Sequence, residues 1–160
     1  MDTKTKIIES QNKILDALSA CETSIGLLYD KYAKRFFGTS TFWTALAEAE
    51  RTHAHLLDTM HRFLDKGCLF YNLGKLNADE IKPIMTFIEE SLKEADDKSL
   101  TLKNALSNAL RIESSLLDAH FYDIVKSDAS EFAIIAQRLS SETSKHLDSI
   151  RQVFNQENLR

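Results

Sequence analysis

Proline and glycine are the residues that most constrain this chain, because it has one proline and four glycines among 160 residues. Together they make up about 3 % of the sequence, against roughly 12 % in average proteins. Sandwiches, barrels and doubly wound sheets need such residues in their many turns. The shortage therefore excludes sheet folds and predicts one domain, residues 1–160, made of a few long helices.

In four long segments the apolar residues recur every three, four or seven positions, which is the spacing of one helix face. Only a few residues, among them Gly38, separate the first two segments, so we expect those helices to be antiparallel. Asp128 with Glu131 forms a capping box at the start of the last segment. The predicted helices, with one shorter helix between the second and third, cover about residues 5–37, 41–66, 84–96, 100–126 and 129–154.

The single proline, Pro83, lies with Gly67, Gly74 and Asn77 in the stretch between the second and third long helices. This composition predicts a connector that contains a short amphipathic helix, with Pro83 in the first turn of that helix. A connector of roughly 30 residues can carry the chain along a bundle and start the next helix parallel to the one before it. We therefore predict an all-α four-helix bundle with one long crossover that contains a short extra helix.

The charges are nearly balanced, with 24 acidic and 20 basic residues mixed along the chain. A nucleic-acid-binding surface would need a basic patch, so we expect no nucleic acid partner. Cys21 and Cys68 form no Cys-x-x-Cys pair, which argues against a zinc or dithiol site and favours a reducing, cytoplasmic location. Residues 1–9 lack the apolar core of a signal peptide, and no apolar run approaches the roughly 20 residues of a membrane helix, so we expect no membrane association.

Carboxylates and imidazoles interrupt the apolar faces of all four long segments. An uncompensated buried carboxylate costs several kcal/mol, so such a group is normally paired, protonated or bound to a cation. The coincidence near the middle of four helices favours a metal site in the bundle core, suited to iron or manganese, with zinc left open. The candidate ligands are Glu22, Glu50, His53, Glu113 and His146.

Two of these candidates belong to a Glu-x-x-His element, Glu50-Arg-Thr-His53, whose two side chains point the same way on a helix. Bundles with a dinuclear carboxylate site use a single Glu from each of two helices and a Glu-x-x-His from each of the other two. The second copy here is degenerate, because Thr143-Ser-Lys-His146 has threonine where glutamate is expected. Glu142 lies four residues before His146, roughly on the same face, and is a candidate substitute ligand.

The two halves of the chain repeat this pattern, since in each half a lone glutamate precedes a histidine at nearly the same spacing. A polar aromatic residue, Tyr29 or His120, comes seven positions after each lone glutamate. Two similar helical hairpins would place a symmetric site at their interface. We expect His120 to lie about 10 Å along the helix axis from Glu113, which favours a supporting hydrogen bond in the core over direct ligation.

The order of these elements resembles that of the ferritin-like superfamily, most closely its rubrerythrin-like branch of small di-iron carboxylate proteins. The family pattern is a glutamate followed some thirty residues later by Glu-x-x-His, given twice. Residues 18–22 with 46–53 are similar to the first copy, and residues 110–113 with 139–147 are similar to the second. Tyr29 resembles the tyrosine often found beside such a site.

The resemblance implies a site with two iron ions that reduces peroxide or dioxygen, or oxidises ferrous iron, in a homodimer. It implies that Glu22 and Glu113 are terminal or bridging carboxylates, that Glu50 and His53 are a ligand pair, and that His146 is the second histidine. Many rubrerythrins also carry a four-cysteine rubredoxin domain for electron delivery, which two cysteines cannot build. Redox turnover would then require an external electron donor.

Thr143 keeps the alternatives open, because its neutral hydroxyl is a poor ligand for iron. The site could hold two ions, one ion or none, and the metal could be manganese or zinc instead of iron. The alternative to a metal-dependent oxidoreductase is a metal-free bundle of the same ancestry that acts as a binding or assembly module. The sequence assigns no catalytic residue.

Overall fold

Long helices make up most of the residues that a computed structural model describes, which are 1–68, 70–71, 78–118, 126–127 and 130–160. The prediction of a helical bundle is confirmed for these residues. The helices are α1 (Thr3–Arg35), α2 (Ser40–Asp65), α3 (Ala78–Glu94), α4 (Leu102–Asp118) and α5 (Ser130–Asn158), with a short 3-10 turn at Phe37–Thr39. None of the helices in the described ranges combines the length and the apolar character that crossing a bilayer requires.

The first helix, α1, starts where the Asp2 side chain accepts a hydrogen bond from the backbone N–H of Thr5 at 2.7 Å, which caps the free N–H groups of its first turn. Helix α2 follows after the 3-10 turn and runs antiparallel to α1. Contacts along the pair show this direction, since Arg51 forms an ion pair with Asp30 at 2.9 Å. Nearer the other end, His61 lies 2.7 Å from Asn12.

The crossover helix α3 is longer than the sequence predicts and starts at Ala78 instead of near residue 84. Pro83 is therefore the sixth residue of the helix and not a first-turn residue. Because proline lacks an N–H, it cannot bond to the carbonyl of Asp79 four residues earlier. Acidic residues in the first turn suit the helix N-terminus, and Asp79 forms an ion pair with Lys82 at 2.6 Å.

The loop after α3 is held at the end of α1, which fixes the direction of α3 and α4. Arg35 donates hydrogen bonds to the carbonyls of Lys98 and Leu100, the latter at 3.1 Å. Lys31 forms an ion pair with Asp96 at 2.6 Å. Helix α3 thus runs parallel to α1, and α4 returns parallel to α2, the direction that we predicted for the helix after the crossover. Within the described residues α3 and α4 each have 17 residues, so the crossover helix is longer than the short helix that the sequence predicts.

A small two-stranded ladder replaces the predicted end of the third long helix. Strand β1 (Phe70–Tyr71) pairs antiparallel with strand β2 (Lys126–Ser127), so the prediction of a helix at residue 126 is wrong. Aromatic residues such as those of β1 favour extended pairing. The predicted capping residue Asp128 and the candidate His120 lie outside the described residues.

Gly26 of α1 lies where α1 and α2 approach each other, one turn from Glu22. A Cβ atom at this position would lie 3.4 Å from the Ala47 carbonyl oxygen and 3.6 Å from the Cβ of Glu50. These distances leave room for a methyl group and for nothing larger. The absence of a side chain at Gly26 therefore sets the close spacing of the two helices beside Glu22 and Glu50.

We expect Gly26→Ala to be neutral or to stabilise the protein by up to about 1 kcal/mol, because alanine is the better helix former. We expect Gly26→Val to destabilise it by about 1–3 kcal/mol, because its two γ-methyl groups overfill the helix interface. Thermal unfolding of the two variants beside the wild-type protein measures the difference. Equal midpoints for the two variants would show that the helices are not closely packed at this position.

Candidate metal centre

Five polar side chains from four helices meet inside the bundle. Each occupies a position in an apolar helix face, so the periodicity that buries Leu18 and Ile25 on α1 also buries the glutamate between them. Four of the five are at most 1 % exposed, and His146 is 12 % exposed. The five are Glu22 on α1, Glu50 and His53 on α2, Glu113 on α4 and His146 on α5.

Glu50 lies at the centre of this cluster, between the two histidines. Its Oε2 is 3.3 Å from Nδ1 of His53, and its Oε1 is 2.7 Å from Nδ1 of His146. Each of these Nδ1 atoms also faces a lone glutamate, at 3.9 Å from Oε2 of Glu22 and at 4.0 Å from Oε1 of Glu113. The imidazole rings stack with centroids 5.2 Å apart. Each histidine therefore faces the shared carboxylate of Glu50 and one further glutamate, and we call each such Glu, His pair a half-site.

Several ligand atoms in the cluster are buried without a hydrogen bond. They include Oε1 of Glu50, Oε2 of Glu113 and the Nδ1 atoms of both histidines. A buried polar atom left without a partner costs about 1–3 kcal/mol. Oε1 of Glu50 and Nδ1 of His146 lie 2.7 Å apart, but their geometry is not that of a hydrogen bond. Both atoms therefore remain without a hydrogen-bond partner. These atoms are available to a metal ion.

The spacing of the ligand atoms suits a transition metal. One atom each from Glu50, His53 and His146 lie within 4.8 Å of one another. Two atoms bound to the same ion at about 2.0–2.2 Å lie at most about 4.4 Å apart, so a small side-chain adjustment would allow coordination. Carboxylate oxygen and imidazole nitrogen are ligands that iron, manganese and zinc accept. The residues present fit such an ion.

Burial and mutual repulsion dominate the electrostatics of the cluster. Burial raises the pKa of Glu50 and that of Glu113 well above the usual range of a glutamate. Repulsion from a neighbouring glutamate, Glu22 for Glu50 and Glu50 for Glu113, raises both pKa values further. Burial lowers the pKa of His53, but the nearby Glu22 and Glu50 outweigh burial and raise it to about 11. Burial also lowers the pKa of His146. Without a metal, burial therefore favours the protonated forms of Glu50 and Glu113 and the neutral form of His146.

The position of the missing glutamate is filled by a buried residue, since Thr143 on α5 is 1 % exposed. The candidate substitute, Glu142, lies elsewhere. Its Oε2 is 2.8 Å from Nε2 of His53, on the ring edge opposite the Nδ1 atom that faces the cluster. Its Oε1 accepts a hydrogen bond from Nε of Arg138 at 2.9 Å. The structure thus places Glu142 as a partner of His53 and not beside Nδ1.

Tyr29 contacts the cluster directly from α1. Its hydroxyl donates a hydrogen bond to Oε1 of Glu113 at 2.7 Å, and its ring packs against Trp43 with centroids 5.3 Å apart. Burial raises the pKa of Tyr29 well above its usual range. The sequence did not identify Arg138 as part of the site, although its i, i+4 spacing from Glu142 is the signal that would have revealed the pair.

We expect Glu113→Gln to stabilise the metal-free protein, with a gain that grows as the pH rises from about 5 to 8. The folded pKa of Glu113 is raised above the ordinary value of 4.5, so the wild-type protein loses stability as the pH rises above that value, whereas glutamine does not titrate. Because Oε2 of Glu113 is buried without a partner, we expect the gain to reach about 1–3 kcal/mol at the upper end of this pH range, the usual cost of such a buried atom. Thermal unfolding of chelator-treated protein across this pH range measures the effect.

The control for this variant is Glu48→Gln, which changes an exposed glutamate on α2 and should leave the pH profile unchanged. A Glu113→Gln protein that is less stable than the wild type at every pH would contradict the assignment of Glu113 as a strained buried carboxyl group.

Comparison of the chain with protein-family models, with curated proteins and with solved structures found no match. The ferritin-like resemblance therefore remains a prediction drawn from the motifs, and the case for a metal site rests on the burial, the distances and the unpaired atoms given above.

Proposed function

We propose that the cluster is a dinuclear metal centre and that the protein is a rubrerythrin-like oxidoreductase. The observation that supports the proposal is the arrangement around Glu50, in which two imidazole Nδ1 atoms each face the shared carboxylate and one further buried glutamate. The cluster thus supplies both histidines and three of the four carboxylates of a dinuclear bundle site.

In this proposal Glu22 and His53 would hold one ion, Glu113 and His146 would hold the other, and Glu50 would contribute to both. Iron is the metal that the family resemblance favours, and manganese or zinc would find the same ligands. Iron, when bound, would supply the electron transfer that reduces peroxide or dioxygen with electrons from an external donor, or that passes electrons from ferrous iron as substrate to dioxygen or peroxide. A homodimer and the need for an external donor stay predictions from the resemblance.

The surrounding residues would orient the ligands and exclude water. Tyr29 fixes one oxygen of Glu113 through its hydroxyl, which leaves the other oxygen for coordination. Glu142 binds Nε2 of His53, and such an outer carboxylate orients a histidine and fixes its tautomer so that Nδ1 can bind metal. Because His53 has a pKa of about 11 in the metal-free protein, a metal ion must displace its proton, and we expect proton release on loading.

A metal-free bundle that acts as a binding or assembly module is the second candidate. It is favoured by Thr143, which removes one of the four carboxylates expected of a dinuclear centre. The contacts from Tyr29 to Glu113 and from Glu142 to His53 also satisfy part of the cluster without metal. In that case stability should not respond to chelators or to added Fe(II).

Metal loading separates the two candidates. We expect protein loaded anaerobically with Fe(II) to retain about two ions per chain after desalting, and its thermal midpoint to rise by about 5–10 °C. Glu50→Gln should lose most of the metal, because that residue contributes to both half-sites. Elemental analysis and thermal unfolding are the measurements.

The matched control is again Glu48→Gln, which leaves the cluster intact and should retain as much metal as the wild type. Two results together would contradict the metal centre and favour the second candidate. They are substoichiometric metal in the wild-type protein and a midpoint of thermal unfolding that neither Fe(II) nor a chelator changes.

Thr143→Glu tests whether the centre is a degenerate copy of a four-carboxylate site. The substitution supplies a carboxylate three residues before His146, on the same helix face, and we expect metal affinity to rise by about tenfold or more. Equilibrium titration with Co(II) measures the affinity, with Thr143→Gln as a control of similar size without charge. Equal affinity in the two variants would show that position 143 is not oriented toward the ions.

A further inference from the structure

The cluster approaches solvent on its α5 side. Among the described residues that form it or contact it, the buried glutamates, His53 and Tyr29 are at most 1 % exposed. The α5 residues differ, since the side chain of His146 is 12 % exposed and that of Glu142 is 30 % exposed. Among the described residues of the cluster and its contacts named above, these two side chains are therefore the ones that solvent reaches most.

Glu142 makes two contacts, one toward the cluster and one toward solvent. Its inner oxygen lies 2.8 Å from Nε2 of His53, which is fully buried. Its outer oxygen lies 2.9 Å from Nε of Arg138, which is one helical turn away and 49 % exposed. The carboxylate of Glu142 therefore lies between solvent and the cluster.

We propose that Glu142 is the entry gate for divalent cations and that Arg138 is the latch that holds the gate closed. This inference rests on the proposed metal-binding function and concerns the route to the site rather than its ligands. A carboxylate on the solvent-exposed side of the cluster attracts an incoming cation. When Glu142 leaves Arg138 it can bind the cation in place of the guanidinium, and its return places the ion beside His146 and the buried glutamates.

A gate has a kinetic signature that distinguishes it from a supporting residue. Loosening a gate lowers the same barrier in both directions, so the association and dissociation rates rise by the same factor and the dissociation constant stays unchanged. Loosening a residue that only orients His53 weakens binding, which raises the dissociation rate alone. The two roles can therefore be separated without measuring any catalytic activity.

The test uses one substitution that preserves charge. Arg138→Lys keeps the cation but loses the planar donor that binds Oε1 of Glu142, and it leaves the contact between Glu142 and His53 in place. We expect this variant to bind Co(II) about threefold faster and to release it to a chelator about threefold faster, the size expected when a half-exposed ion pair is weakened. Stopped-flow absorbance in both directions measures the rates.

Arg151→Lys is the matched control, because Arg151 lies on the same helix in an exposed ion pair with Asp148 and away from the cluster. It should leave both rates at the wild-type values. A rise in the dissociation rate alone, or no change in either rate while the wild-type chain binds Co(II) in full, would overturn the gate and leave the metal centre standing. A wild-type chain that binds no Co(II) would overturn both.

Discussion

Burial of Glu50 between two histidines is the interaction on which the rest of this bundle depends. Three carboxyl groups and two imidazoles share an interior that is mostly apolar, and each uncompensated charge there costs several kcal/mol. In the metal-free chain, the raised pKa values of Glu50 and Glu113 favour their protonated, neutral forms, which reduces that cost. Divalent cations would replace those protons, and this exchange links the stability of the fold to the proposed function.

The fold supplies this cluster from two similar hairpins. Helices α1 and α2 contribute one glutamate and the Glu50, His53 pair, while α4 and α5 contribute one glutamate and His146. The halves are joined through α3, whose far loop is bound by Arg35 at the end of α1, so that α4 starts at the correct end of the bundle. Thr143 breaks the symmetry, and around it the half-site on α5 is the more exposed one.

The sequence predicted the helices and the inward glutamates because both follow from a regular period along one helix. Helix ends were less predictable, since the early start of α3 before Pro83 and the strand at Lys126–Ser127 depend on tertiary packing and on pairing with β1. The role of Glu142 was beyond sequence analysis for a related reason. Its spacing from His146 suggested a metal ligand, whereas its side chain contacts Nε2 of His53 on another helix. A contact between two helices cannot be predicted from the residue spacing along one of them.

The most direct test of the proposed centre is anomalous diffraction from crystals of the protein loaded with Mn(II) or Co(II). We predict two anomalous peaks about 3.5–4 Å apart, on either side of the Glu50 carboxylate, one near Nδ1 of His53 and one near Nδ1 of His146. Peaks confined to surface carboxylates, with the cluster empty and its side chains unchanged, would contradict the metal centre and identify the buried glutamates as a metal-free polar core.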